Sequence, residues 1–145
     1  MKRFQFPLES VRRWRAGQAT LEEAKLEQLR GNLQALREEK QNIETERGRS
    51  EREILGQASI EATDLETLDA FRLHARSKIR DIETRQRQAE EQVEKQRQRL
   101  IEARRSAELL ERLLEKARVA WRAASDREQE SLAAELYLAQ RRRRR

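Results

Sequence analysis

The sequence predicts an all-α fold, a long antiparallel two-helix coiled-coil hairpin in which helix 2 is longer than helix 1. Three observations carry this. The first is a strict heptad over residues 65–124. With a at Leu65 and d at Leu68, the a positions run Leu65, Arg72, Ile79, Gln86, Val93, Leu100, Ala107, Leu114 and Trp121. The d positions run Leu68, Ala75, Ile82, Ala89, Gln96, Ala103, Leu110, Ala117 and Ala124. Only Arg72, Gln86 and Gln96 interrupt the apolar series, and a seam this narrow needs a partner helix to cover it. The second is a matching stripe upstream, Leu26, Leu29, Leu33, Leu36, Ile43 and Ile54, at 3-4 spacing through polar Lys40, Arg47 and Ser50. The third is a single strong break between them, Gly56-Gln57-Ala58-Ser59. A short connection makes consecutive helices antiparallel neighbours. The same seam also admits a parallel dimer through helix 2, or a longer antiparallel assembly.

Taken in order, residues 1–6 are short, basic and aromatic, and Pro7 marks a helix start, having no N–H to lose in a first turn. Glu9 suits the positive end of the helix dipole. Helix 1 is expected over about residues 8–55. Leu8, Val11, Trp14, Gln18 and Leu21 are helically spaced but in a different phase from Leu26 onward, which predicts a stutter near residues 21–26. Gly17, Gly31 and Gly48 weaken this helix without a turn signal beside them, so it reads through all three. The connection covers about residues 56–64, with Asp64 as the expected N-cap and Glu66 in the first turn. Neither Gly nor Pro follows, so helix 2 runs from about 65 to 139. At 1.5 Å per residue the helices span roughly 70 and 110 Å. Residues 1–140 thus form one hairpin domain, and 141–145 are a basic tail.

Composition narrows the function classes. The chain of 145 residues is 36% apolar and 41% charged, too polar for a compact core. The charges alternate in sign between periodic Leu, Ile and Ala, which separates it from a disordered chain. It contains no Cys, hence no disulfide framework and no thiolate metal site, as suits a reducing cytoplasm. No apolar run approaches the roughly 20 residues that cross a bilayer, and the basic start lacks the apolar stretch of a signal peptide. Net charge is +6, and Arg141 to Arg145 carry five of those charges. Glu pairs such as Glu22-Glu23 and Glu38-Glu39 lie at helical spacing from Arg and Lys and read as solvated ion pairs. With no Gly-rich phosphate loop and no positioned nucleophile and base, the chain is expected not to be an enzyme. No catalytic, cofactor-binding or metal-binding residue is assigned. His74 is the single histidine and reads as a surface residue.

The opening Phe4-x-Phe6-Pro7-Leu8-Glu9-Ser10-Val11 resembles the start of the FliJ family of flagellar export proteins, and the layout of long helix, short break and longer helix is similar. So is Glu111-Arg112-Leu113-Leu114-Glu115-Lys116, followed by Trp121 and Arg127-Glu128-Gln129-Glu130-x-Leu132. The chain departs from the family string where Glu130 replaces Lys and Ala133-Ala134 replace an acidic pair. YscO-type injectisome proteins share the layout, but the F-x-F-P-L opening favours the flagellar branch. The resemblance implies a soluble cytoplasmic component of flagellar type III export, similar to the central stalk of rotary ATPases. It would work at the cytoplasmic face of the inner membrane, at the basal body. Its implied partners are the export ATPase FliI with FliH, the export gate protein FlhA, and export chaperones; membrane association would come only through these. By position, the gate candidates are Leu65, Leu68, Phe71, Ala75 and Lys78. The end made by the free termini, implied to enter the ATPase ring, offers Phe4, Phe6, Arg12, Arg13, Trp14, Trp121, Arg127, Gln129 and Leu132.

Each residue also has a plain structural role to weigh. Leu65, Leu68 and Ala75 sit at a or d and read first as seam. Phe71 falls at g, where an aromatic either covers the seam or anchors a partner. Trp121 is expected to pack against Phe4, Phe6 or Trp14. The basic termini suit an acidic protein surface. The alternative is phosphate binding to nucleic acid or anionic lipid, yet aromatics are few and no base-reading motif is present, so no specific nucleic acid is expected. A structural coiled coil without an export role, or a merely solvated tail, is the remaining alternative.

Overall fold

The computed structural model describes residues 2–144. Among these are two helices, α1 (Glu9–Leu55) and α2 (Ala62–Arg143), packed as an all-α hairpin with the second helix the longer. Among the described residues no strand occurs and no helix is long and apolar enough to cross a membrane.

The ends of the helices follow from local hydrogen bonding. The Glu9 N–H donates to the Phe6 carbonyl at 3.1 Å and the Arg12 N–H to the Leu8 carbonyl at 2.8 Å. Leu8 is therefore the cap, and Pro7 stands just outside the first turn rather than in it. At the other end of α1 the Gly56 N–H donates to the Arg52 carbonyl at 2.9 Å. A Cβ at Gly56 would lie 2.8 Å from that oxygen, so the close approach requires glycine. α2 starts earlier than the expected Asp64 cap. The Glu61 carbonyl accepts from the N–H groups of Asp64 and Leu65, at 3.1 and 3.3 Å. The Asp64 carboxylate accepts the Glu61 N–H at 3.2 Å. Glu61 is thus the cap, and Asp64 reaches back to it from the third helical position as in a capping box. α2 also continues past residue 139, so Arg141–Arg143 of the expected tail are helical; Arg145 lies outside the described residues.

The chain divides into two compact units, Leu21–Leu100 and Met1–Thr20 with Ile101–Arg145. Leu21–Leu100 contains the turn. Its core is Leu26 and Leu33 of α1 with Leu68, Ala75, Ile82 and Leu100 of α2; Leu68 and Ile82 retain only 2% and 1% exposure. Leu29, Leu36, Ile43, Ile54, Ile79, Ala89 and Val93 are half-buried along the same seam. Salt bridges run beside it: Glu51 to Arg72 at 2.8 Å, Lys40 to Glu83 at 3.2 Å, Glu39 to Arg85 at 3.7 Å and Arg37 to Glu90 at 4.0 Å. α1 numbers fall as α2 numbers rise, which is the antiparallel pairing. Two of the polar interruptions in the seam, Lys40 and Arg72, reach these carboxylates with their heads while their stems stay on the seam.

In the other unit Lys2, Phe4 and the start of α1 lie against α2, with Leu110, Leu114 and Ser125 buried. Arg12 crosses to Glu111 at 2.8 Å. Beyond Ser125 every described residue is exposed, so this last stretch of α2 has no α1 partner. The seam steps to Ser125 rather than the expected Ala124, which is exposed.

The expected stutter is absent. Of the expected stripe, Leu8, Val11, Trp14 and Leu21 are exposed and only Gln18 is half-buried, while Arg12 and Glu22 are half-buried beside the positions expected for Val11 and Leu21. The Glu22 and Arg12 side chains keep the phase of Leu26 because each meets a partner on α2, Gln96 and Glu111 respectively. A satisfied polar residue on the seam displaced the apolar stripe that the spacing suggested.

Candidate functional site

The segment before α1 continues along α2 through aromatic and backbone contacts. Phe4 meets Trp121 edge to face, with ring centroids 5.8 Å apart and planes inclined at 61°. Such a pair adds about 0.5–1.5 kcal/mol beyond the area it buries. The Trp121 Nε1–H donates to the Lys2 carbonyl at 3.3 Å. Of the three partners expected for Trp121, it is Phe4 that makes the ring contact. Trp14 is 56% exposed and carries the Arg15 guanidinium over its ring at 4.9 Å.

Beside this clasp lies an open cleft of about 760 Å³, where Phe4, Phe6 and Pro7 face Leu114, and Arg3, Arg13 and Arg118 supply positive charge. Arg12 also lines it, held by both Glu9 oxygens at 2.6 and 2.9 Å and by Glu111. The Arg12 guanidinium, aided by Arg13, holds the Glu9 carboxyl down to about 2. Glu9 and Glu111 raise the Arg12 pKa in return. Arg12 is thus an internal tie, while Arg13, bonded to Glu9 at 3.1 Å, remains exposed. An apolar floor with a cationic rim fits an acidic side chain or carboxylate-rich helix surface.

The structure brings together Phe4, Phe6, Arg12, Arg13 and Trp121 of the predicted ring end. Arg127, Gln129 and Leu132 lie further along α2, on its fully exposed stretch. Leu136, Tyr137 and Leu138, beyond the motif that ends at Leu132, are also exposed. The sequence carries a signal for Leu136, since Leu132, Leu136 and Ala139 continue a 4-3 spacing.

The gate candidates divide differently. Leu68 and Ala75 are buried in the seam and offer no surface. Leu65, an a position of the heptad, is exposed rather than in the seam, because pairing begins at Leu68. Phe71 is half-buried at the edge of the seam, and Lys78, two turns on, is exposed on the same face. Leu73 is 70% exposed nearby and was not singled out by the heptad reading, since it lies off both seam positions.

Within Leu21–Leu100, the side-chain amide of Gln96 is buried and donates to the Glu22 carbonyl at 3.0 Å and to the Glu22 carboxylate. That bond, with Lys25 beside it, lowers the Glu22 pKa. A polar tie inside a seam fixes helix register. No cluster of three His, Asp or Glu side chains suited to a metal occurs among the described residues. His74 is exposed.

Comparison with family models, with curated proteins and with solved structures returns no match to this chain.

Proposed function

We propose that this chain is a FliJ-type component of flagellar type III protein export. It couples the ATPase ring of FliI with FliH to the export gate protein FlhA, and it binds export chaperones. The supporting observation is the clasp of Phe4 on Trp121, with the cationic cleft beside it. The aromatic opening that carries the family resemblance is folded onto α2 next to a surface suited to an acidic protein partner. A second surface, Phe71 with Lys78, is available for a different partner in Leu21–Leu100. The chain works by binding, and any ATP hydrolysis belongs to the ring. Its working place is the cytoplasmic face of the inner membrane at the flagellar basal body.

The test is co-sedimentation with the cognate export ATPase and stimulation of its turnover. It compares the intact chain, Phe71→Ala and a chain ending at Gln140. Binding and stimulation by intact protein and by Phe71→Ala are expected. Loss on removing residues 141–145 would assign the ATPase contact to the basic end. No binding and no stimulation by the intact chain would overturn the export reading and leave a structural coiled coil.

A further inference from the structure

Past Ser125, α2 keeps an apolar stripe but loses its partner. Gln129, Leu132, Leu136 and Ala139 repeat at 3-4 spacing in continuity with Trp121 and Ser125 of the α1–α2 seam. Leu132 and Leu136 are 53% and 65% exposed. Charge along the same stretch is polarised. Asp126, Glu128, Glu130 and Glu135 precede the stretch Arg141–Arg143, with Arg127 the one cation among the acids.

We propose that this stretch, residues 126–143, pairs with the same stretch of a second copy of the chain in antiparallel orientation. Taking Leu132 as d and Leu136 as a, antiparallel pairing sets Leu132 of each copy against Leu136 of the other. Gln129 then meets Ala139. On the flank, Glu128 of each copy faces the partner's Arg142, so two opposite-charge contacts close the pair symmetrically. Glu135 faces Glu135 of the other copy, one like-charge contact set against the two opposite-charge ones. A parallel pair would stack Arg141–Arg143 on the same arginines and is disfavoured. An anionic membrane or nucleic acid would attract the arginines but repel the four acids on the same helix. The polarised charge therefore selects a partner with the opposite order of charge, and the chain itself supplies one. The inference is argued from this chain's own residues; because Arg127, Gln129 and Leu132 are also the ring-end candidates, self-pairing and entry into a ring would compete for this stretch.

The association buries few leucines and so is weak and reversible. Sedimentation equilibrium over micromolar to submillimolar concentration is expected to show mass rising from 17.3 kDa toward twice that value. Added salt is expected to weaken the association. Leu136→Asp keeps the helical circular dichroism and abolishes the rise. Glu128→Arg and Arg142→Glu each weaken association by about tenfold, and the double variant restores it, because the reversed pair is again complementary. A mass that stays monomeric throughout overturns the proposal. So does a dimer indifferent to Leu136→Asp, or a double charge reversal that fails to rescue. Monomeric protein that binds vesicles of anionic lipid through Arg141–Arg143 overturns it in favour of a membrane surface.

Discussion

At the scale of single residues, carboxylates do much of the organising. Glu9 is held by Arg12, Glu22 by Gln96, Glu51 by Arg72 and Glu94 by Gln98, and each has its pKa lowered from the ordinary 4.5. A lowered folded-state pKa means that the unfolded chain takes up protons first as pH falls. Stability is therefore expected to be fully present above about pH 4.5 and to decline as pH drops through the folded values, toward about 2 for Glu9. Thermal melts from pH 7 to pH 2 check this, and Glu9→Gln should flatten the lowest part of the profile. A melting temperature that holds steady or rises on acidification would contradict the assignment. Gln96→Ala should lower the melting temperature, and less so in a Glu22→Ala background, since both changes remove the bond to the Glu22 carboxylate while the bond to the Glu22 carbonyl is lost only with Gln96.

At the scale of elements, packing and backbone constraints separate positions that look alike in sequence. Ile82→Ala empties one of the most buried seam positions and is expected to cost about 2–5 kcal/mol in chemical denaturation. Gly31 has open space where a Cβ would go, so Gly31→Ala should stabilise by about 1 kcal/mol through helix propensity alone. Gly56→Ala should destabilise, because its Cβ would collide with the Arg52 carbonyl. The α2 heptad was legible from Leu68 to Trp121 because an a/d stripe repeats over many turns and local exceptions do not erase it. The turn was legible from Gly56. The phase of early α1 was not, since Arg12 and Glu22 reach across the seam to Glu111 and Gln96, residues far away in sequence. The α2 start was misplaced for a related reason. Asp64 has the chemistry of a cap, and only the hydrogen bonds reveal that it serves from inside the helix. Of the site, the Phe4–Trp121 contact was foreseeable once antiparallel pairing was assumed, whereas the exposed Leu136 lay beyond the motif that drew attention to Leu132.

At the scale of the whole molecule, the proposal needs one chain to hold two partners by separate surfaces. The cleft beside Phe4 and Trp121 belongs to one unit, and Phe71 with Lys78 to the other. Loss of one contact should therefore leave the other intact. The measurement that tests this most directly is a three-component co-sedimentation of the export ATPase, the cytoplasmic domain of the gate protein, and this chain. The gate domain is expected to sediment with the ATPase only when the intact chain is added, and Phe71→Ala should release the gate domain while the chain itself still sediments. A gate domain that stays in the supernatant with the intact chain present would contradict coupling.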